Sequence, residues 1–474
     1  MGRTKSDSSL LDSCRGSSNG QFKYFEAKII MLLKNKNITV VGAGFTGVET
    51  SNFLVSKGAS VVLVDIKSRV ELEKNLLSLS PRVRTLFECS EISESSDLIV
   101  LSPGVNINAS FLEESRRRGI QIISEIELAF RFTKTPIIAV TGTNGKSTVT
   151  TLIGDILKQA GKKIAVGGNL GTPFVALLEQ DPVDYFVLEI STFQLEGIKT
   201  FRPKIAVILN ITPDHLDRHK TLEEYSDLKG RVSAYQNDGD ILVLNKDDEK
   251  VMRQGKRSKA KKVFFSLLGK VDEGAYLEGG SMFACSDGKE KRLLSVGDLK
   301  TAMQFQAENL LSSMAVANLV SATKSDITSV AMKFEGLDHR VEWVRTVHGV
   351  DFVNDSKGTN VGALQKSLKV FSRPIILIAG GRDKGGDFRV LKNLFKEKVK
   401  HLILIGETKN KFREVLNGSF SYEDAENMED AVERSMGKAT AGDIVLLSPG
   451  CSSFDMFKDF IERGNQFKEI VGRL

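Results

Sequence analysis

The 474-residue sequence predicts an α/β protein of three domains, the first and last Rossmann-like and the middle one built on a parallel sheet. Three observations predict it. At about 150 residues per domain the length allows about three cores. Nine short apolar, β-branched runs each pass straight into a Gly-rich or polar turn and then into a helical stretch. Those runs fall into three groups along the chain. Strands that are apolar throughout are buried on both faces, which requires parallel sheets covered by helices.

Residues 1–36 read as a leader, disordered up to about residue 20 and rich in Ser and Gly. Residues 37–130 hold Asn37-Ile-Thr-Val-Val before Gly42, Ser60-Val-Val-Leu-Val before Asp65, and Leu98-Ile-Val-Leu before Ser102. Residues 131–333 hold Pro136-Ile-Ile-Ala-Val before Thr141, Tyr185-Phe-Val-Leu before Glu189, and Ile205-Ala-Val-Ile-Leu before Asn210. An insert at about 263–302 has weaker strand signals. Residues 334–474 hold Ile375-Ile-Leu-Ile before Ala379, His401-Leu-Ile-Leu-Ile before Gly406, and Ile444-Val-Leu-Leu before Ser448. Ligands of such folds bind beyond the carboxyl ends of the strands, so the polar residues after each run are the candidate site.

Composition excludes several classes. Lys and Arg number 66 against 60 Asp and Glu, and the surplus of six equals one run: Arg253, Lys256, Arg257, Lys259, Lys261 and Lys262. No aromatic interrupts that run, so it reads as a solvated loop rather than a nucleic-acid surface. Four cysteines, Cys14, Cys89, Cys285 and Cys451, lack paired spacing, which suits a reducing cytoplasm and argues against a disulfide or zinc scaffold. No apolar run approaches the ~18 residues of a membrane span.

The strongest local signal is Ile138-Ala-Val-Thr-Gly-Thr-Asn-Gly-Lys-Ser-Thr-Val-Thr-Thr-Leu152. A strand enters a Gly-rich turn and a helix leaves it. Gly142 and Gly145 let backbone amides turn towards phosphate oxygens, and the helix N-terminus adds its positive end. Lys146 can neutralise phosphate charge, and Ser147 or Thr148 can hold Mg2+. Val140 stands where the standard loop has its first Gly, so this is a shortened variant. The middle domain is therefore expected to be a P-loop-type ATPase domain. Gly42-Ala-Gly-Phe-Thr-Gly47, with Asp65 ending the next strand, reads as a dinucleotide fingerprint, and taken alone it fits an oxidoreductase equally well.

Thr141-Gly-Thr-Asn-Gly-Lys-Ser-Thr resembles the ATP loop of the Mur ligase family, which builds the cell-wall peptide and has the folylpolyglutamate synthases as relatives. The likeness continues at Gly168-Asn-Leu-Gly171, Glu189-Ile-Ser-Thr-Phe-Gln-Leu-Glu196, Asn210-Ile-Thr-Pro-Asp-His-Leu-Asp217, His339-Arg-Val-Glu342, Asn354-Asp-Ser-Lys-Gly-Thr-Asn360 and Leu447-Ser-Pro-Gly-Cys-Ser-Ser-Phe-Asp-Met-Phe457. It covers about 37–474 in the family order. It is closest to the branch that adds D-glutamate to UDP-N-acetylmuramoyl-L-alanine. Neither the Asp-Asn-Pro-Arg motif of the diaminopimelate- or lysine-adding relative nor the double-His motif of the L-alanine-adding one is present.

The resemblance implies ATP-dependent amide ligation through an acyl phosphate, with Mg2+ as cofactor, ATP as co-substrate, and a cytoplasmic monomer without membrane or nucleic-acid partners. Gly142, Thr143, Asn144, Gly145, Lys146, Ser147, Thr148, Asn309, Arg340 and Asp355 would bind ATP. Lys146, Glu189, His215, Lys229 and Lys357 would carry the chemistry. Metal ligands would be Ser147, Glu189, His215 and, once carbamylated by CO2, Lys229, placed by its Tyr225-x-x-x-Lys229 spacing on the helical stretch Leu222 to Tyr235. Phe45, Thr46, Asp65, Ser102, Gly104, Asn169 and Gln194 would hold the UDP substrate, and Thr359, Lys384, Ser453 and Phe460 the D-glutamate. One stretch departs from the family pattern. At Met303-Gln-Phe-Gln-Ala-Glu-Asn309, Phe305 replaces a His and Gln306 an Asn where adenine is bound; Gln keeps an amide. The alternatives are another ligase of the family, such as a folylpolyglutamate synthase, and a non-ligase nucleotide-binding protein.

Overall fold

The computed structural model describes residues 33–474 other than 91, 93, 94, 305 and 417–419. The expected leader up to residue 32, Cys14 and Phe305 lie outside the described residues. All nine apolar runs are strands, and they sort into three sheets.

The first sheet has five parallel strands: β1 (Asn37–Val41), β2 (Ser60–Val64), β3 (Arg84–Leu86), β4 (Leu98–Leu101) and β5 (Gln121–Ser124), in the order β3-β2-β1-β4-β5. The strand order reverses between β1 and β4, which opens a crevice at their carboxyl ends. Helix α1 (Phe45–Ser56) starts directly above it. A Cβ on Gly47 would fall 1.8 Å from the Gly42 carbonyl oxygen, so only glycine lets this helix sit so close to the strand end. Helix α2 (Glu125–Phe130) leads out of the sheet.

The middle sheet has nine strands: β6 (Ile137–Thr141), β7 (Ile164–Gly168), β8 (Tyr185–Glu189), β9 (Ile205–Ile208), β10 (Ile241–Asn245), β11 (Lys261–Ser266), β12 (Gly274–Glu278), β13 (Ser281–Ser286) and β14 (Lys289–Ser295). Their order is β14-β13-β12-β11-β10-β9-β6-β8-β7. The sheet is parallel from β7 to β12, but β13 and β14 add an antiparallel extension. The expectation of a parallel sheet is thus corrected over the insert. Neither strand runs apolar throughout: β13 mixes buried and half-buried residues, and β14 exposes Lys289 to Arg292 and buries Leu293 and Leu294. Their inner residues Met282, Ala284, Leu293 and Leu294 share a core with Leu310, Leu311 and Met314. The helices that matter for the site are α3 (Lys146–Gln159), α4 (Thr192–Glu196), α5 (Leu216–His219), α6 (Leu222–Gly230) and α7 (Ala307–Leu319). Helix α6 ends before the predicted Tyr235 because a tighter turn, Arg231–Ser233, takes over.

The third sheet comprises β15 (Glu342–Val347), β16 (Val350–Asn354), β17 (Ile375–Gly380), β18 (Val399–Ile405), β19 (Tyr422–Asp424) and β20 (Ile444–Leu447), in the order β15-β16-β20-β17-β18-β19. Only the β15–β16 edge is antiparallel. Helix α8 (Val361–Val370) packs against one face, and α9 (Phe460–Arg473) closes the described chain on the other. The basic run is no simple loop. Arg253 lies in the helix Glu249–Gly255, Lys261 and Lys262 open β11, and Arg253 and Arg257 pair with Glu223 and Asp227 of α6.

Candidate active site

The loop between β6 and α3 is shaped by glycine and splinted from a neighbouring strand end. Gly145 has φ of 89°, a left-handed value that lets the chain turn into the helix. Asn144 N–H donates to Asn210 Oδ1 at 2.9 Å, and Asn210 Nδ2 returns a bond to the Asn144 carbonyl at 3.0 Å. Thr143 N–H donates to the Asn210 carbonyl, and its hydroxyl to the Thr212 carbonyl. Lys146 Nζ lies back over the loop and donates to the Gly142 and Thr143 carbonyls, both at 2.9 Å. Thr148 is buried one residue beyond Ser147 on α3.

Ser147 is the meeting point of two domains. Its hydroxyl donates to Glu189 Oε2 at 2.5 Å, and that hydroxyl's oxygen, Ser147 Oγ, accepts from Nη2 of Arg340 of the third domain at 2.7 Å. Asn169 Nδ2 reaches Glu189 Oε1 at 2.7 Å. Burial alone pushes the Glu189 carboxyl up, but the Lys146 charge and the Ser147 and Asn169 bonds together hold it below its ordinary value. It is therefore an ionised carboxylate beside the phosphate loop.

Lys229 reaches the same loop from α6. It is 1% exposed, and its Nζ donates to the Gly142 carbonyl at 2.8 Å and lies 4.4 Å from the centre of the Tyr225 ring. The Tyr225 hydroxyl donates to Thr143 Oγ1 at 3.3 Å. Burial, helped by the nearby Lys146 charge, pushes the Lys229 amine far below its ordinary value. His215 has a left-handed backbone ahead of α5, and its ring packs at 5.0 Å on Phe193.

The third domain brings its own groups. Asp355 follows β16, but its carboxylate turns inward to accept from Ser367 Oγ at 2.6 Å and Ser448 Oγ at 2.8 Å; burial pushes it up to about 6. Lys357 Nζ sits 3.5 Å over the Phe460 ring at the start of α9. Burial, then the Arg340 charge, pushes it down to about 7. Lys384 Nζ is 3.8 Å from Asp214 Oδ1, and Asn360 Nδ2 donates to Asp214 Oδ2 at 3.0 Å. Thr359 is the partly buried residue before Asn360, and Ser453 is buried in the turn before Phe460. Asn309 presses Oδ1 against Gly145, so closely that a Cβ there would come within 2.3 Å. Asn309 also donates to Gln306, so the substituted amide is joined to the one that remains.

At the first sheet, Phe45 is exposed at the head of α1 and Thr46 follows it in the same turn. Asp65 accepts from the N–H groups of Ala43 at 2.6 Å and Lys67 at 2.9 Å, so its carboxylate braces the turn beside the crevice. Ser102 donates to the Gly42 carbonyl across the crevice at 2.7 Å, and Gly104 lies two residues on. Gln194 is placed differently from the rest. It is 1% exposed, and its side-chain oxygen accepts from Ser191 to close a capping box on α4.

Several residues that hold the site received no role from the sequence, although three of them lie in its motifs. Asn210 splints the loop, while Asp214 and Asn360 join the middle and third domains. Arg463 is wholly buried and donates to Ser356 and to the Cys451 carbonyl, which ties together two loops of the third domain. Asn210 and Asp214 follow an apolar strand, which was the available signal. Arg463 lies within a helix and carried none. Among the described residues, no three His, Cys, Asp or Glu side chains gather as a metal cage, and no helix is long and apolar enough to cross a membrane.

Three family models match in series: a Mur ligase MurD-like N-terminal domain at residues 36–124, a Mur ligase middle domain at 140–321, and a Mur ligase glutamate ligase domain at 339–451. The UDP-N-acetylmuramoylalanine–D-glutamate ligase of Alkaliphilus oremlandii is 42% identical over 452 residues, which covers 94% of this chain and 100% of that relative. The chain belongs to the Mur ligase family. A second relative of the same name, from Caldanaerobacter subterraneus, is 42% identical over 93% of this chain and 99% of its own. Among solved structures, a pseudomurein peptide ligase type C from Methanothermus fervidus superposes with a TM-score of 0.60 at 19% identity, over 93% of this chain and all of that one. That likeness bears on the fold alone, and the fold is the three-domain α/β arrangement of the Mur ligases.

Proposed function

We propose that this chain is an ATP-dependent amide ligase that joins D-glutamate to UDP-N-acetylmuramoyl-L-alanine in the cytoplasmic synthesis of peptidoglycan precursors. The full-length likeness to D-glutamate-adding ligases supports the substrates. The observation that carries the chemistry is Arg340, reaching from the third domain to Ser147 while Ser147 bonds Glu189. A cation and an ionised carboxylate flanking a phosphate loop suit phosphoryl transfer between anions.

In this reading the UDP substrate lies along Phe45, Thr46, Asp65, Ser102 and Gly104, with its sugar end towards Asn169. ATP lies on the loop Gly142 to Thr148, with Asn309 and Gln306 at its adenine end. Lys146 and Arg340 screen the approach of the alanyl carboxylate to the γ-phosphorus. A carboxylate oxygen bonds to that phosphorus as its bond to the bridging oxygen breaks, and ADP leaves. The amine of D-glutamate, held by Lys384, Thr359, Ser453 and Phe460, then attacks the acyl carbon; phosphate leaves, and the amine proton passes to solvent or a nearby base. Lys357, with a pKa near neutrality, can hold or release a proton beside the nucleotide. The inward Asp355 carboxylate shapes the turn that presents Lys357.

Mg2+ fits this donor set. The Ser147 hydroxyl and the Glu189 carboxylate are adjacent hard oxygens, and Mg2+ in such sites completes its shell with phosphate oxygens and water. Bound there, it would neutralise charge on the β- and γ-phosphates. His215 and a carbamylated Lys229 are the candidates for a second ion. The depressed amine of Lys229 supports carbamylation, because only a neutral amine attacks CO2. We read the enzyme as a monomer that acts on small molecules.

The test is ADP release with Mg2+-ATP and UDP-N-acetylmuramoyl-L-alanine, comparing D-glutamate, L-glutamate, L-lysine, diaminopimelate and D-alanyl-D-alanine. Turnover with D-glutamate alone is expected. Turnover with another amine would overturn the specificity and keep the chemistry. ATP binding without acceptor-dependent turnover would overturn the ligase reading.

A further inference from the structure

We infer that Arg218 is a positioning residue that sets the distance between the UDP-substrate edge of the first domain and the phosphate loop of the middle one. The inference rests on the reading that the UDP substrate occupies the Ser102–Gly104 edge. Its acyl carboxylate must then cross to a loop on another domain, so the placement of the two domains decides whether it arrives.

Beside the apolar core it shares with the middle domain, the first domain is tied by hydrogen bonds at two places. One is its exit helix, α2. There Glu127 accepts from three successive N–H groups, Lys199, Thr200 and Phe201, each at 2.9 Å, and Glu125 accepts from Val175 N–H at 2.7 Å. That shared core and these bonds fix the domain on its α2 side, and the opposite edge has its own tie. The second place is that far edge. Arg218 Nη2 donates to the Val105 carbonyl at 2.9 Å and Nη1 to the Gly104 carbonyl at 3.3 Å. Nε and Nη2 of the same guanidinium are gripped by the two Glu196 oxygens at 3.1 and 2.6 Å, and its carbon lies 4.6 Å over the Phe193 ring. The Phe193 ring in turn packs on His215, and Arg218 N–H donates to the His215 carbonyl. One planar fork thus ties the loop after β4 to the turn that carries His215. A lysine ammonium reproduces only part of this grip.

The experiment uses the full chain with R218A, R218K and E196Q. It measures KM for each substrate, the Kd of UDP-N-acetylmuramoyl-L-alanine by calorimetry, and Tm. For R218A, KM and Kd for the UDP substrate should rise roughly tenfold or more, with KM for ATP within about twofold. R218K and E196Q should fall between wild type and R218A, and the R218A/E196Q pair should be no worse than R218A alone. A lower Tm with unchanged KM and Kd for the UDP substrate would overturn the inference by making Arg218 merely structural. An equal rise for ATP would also overturn it. Should R218A fail to fold, R218K and E196Q decide by the same readings. Wild-type binding without turnover would overturn the reaction alone, while no wild-type binding of the UDP substrate would overturn both.

Discussion

Lys229 and Glu125 are both buried ionisable groups without a close ion-pair partner among the described residues, and burial shifts them in opposite directions, each towards its neutral form. Among the described residues the Lys229 amine bonds a carbonyl and faces a Tyr ring, so burial makes its neutral form more accessible than in a free lysine, and that form is the one that reacts with CO2. K229A and K229R should both lose about 10²- to 10³-fold in kcat, because neither side chain can become an anionic oxygen ligand. Wild type in CO2-depleted buffer should slow and recover on adding bicarbonate; a rate indifferent to bicarbonate would refute the carbamate. Glu125 is wholly buried, and Val175 N–H bonds one of its oxygens at 2.7 Å. Burial pushes it up from 4.5 to about 7. A raised folded-state value means stability that is present below pH 4.5 and lost as the pH rises to about 7. The loss is at most roughly 3 kcal/mol. Glu125→Gln keeps the acceptor for Val175 and removes the ionisation. Its Tm should match wild type near pH 4.5 and exceed it at pH 8, as melting curves at the two pH values will show.

At the scale of elements, the turn between β6 and α3 is the most constrained. Gly145 combines a φ of 89° with an Asn309 oxygen 2.3 Å from where a Cβ would stand. G145A should therefore displace α7 from the loop as well as strain the turn. ATP affinity should fall roughly tenfold or more by calorimetry, with Tm also lowered. ATP affinity unchanged in G145A would mean that Asn309 does not border the nucleotide. This turn was legible in the sequence because a strand, a Gly-rich turn and a helix follow one another within a few residues. The nine apolar strands were legible for a similar reason, since burial on both faces writes a continuous apolar run. Strand β14 was not, because Lys289–Ser295 exposes its charged half and hides only its last leucines. Gln194, a substrate contact by resemblance, also closes a capping box with its side-chain oxygen, a use the Ser191-x-x-Gln194 spacing encodes. The Arg340–Ser147 bond joins residues 193 positions apart, and no local pattern carries such a pairing. The resemblance placed both residues at ATP without pairing them, and it alone singled out Lys229 on a helix of ordinary composition.

The three domains are joined by two different kinds of contact. The first and middle domains share one apolar core, in which Ile123, Ile126 and Leu128 meet Phe174, Leu195 and Phe201. Beyond the connecting Phe334 and Leu337, which pack on the middle core, the third domain keeps its own cores on the two faces of its sheet and meets the middle one through polar groups: Arg340 to Ser147, Asn360 to Asp214, and ion pairs of Lys384 with Asp214 and of Lys366 with Glu308. Apolar burial is hard to undo, whereas polar contacts can be exchanged for water at little net cost. The third domain is therefore the one expected to open and close, admitting D-glutamate and nucleotide and then excluding water from the acyl phosphate. Asn360 offers a selective way to test this. Its side-chain oxygen caps α8 by accepting from Ala363 N–H at 2.8 Å, while its amide nitrogen bonds Asp214. Aspartate caps a helix as well as asparagine does. N360D should thus leave the third domain folded but set a second carboxylate against Asp214, which Lys384, His215 and Lys146 keep ionised despite burial. Like charges so placed cost several kcal/mol. At pH 8 the radius of gyration with nucleotide bound should grow by scattering, KM for D-glutamate should rise, and kcat/KM should fall roughly a hundredfold, with Tm little changed. An unchanged radius together with full activity would show that the Asn360–Asp214 contact is not what holds the domains closed.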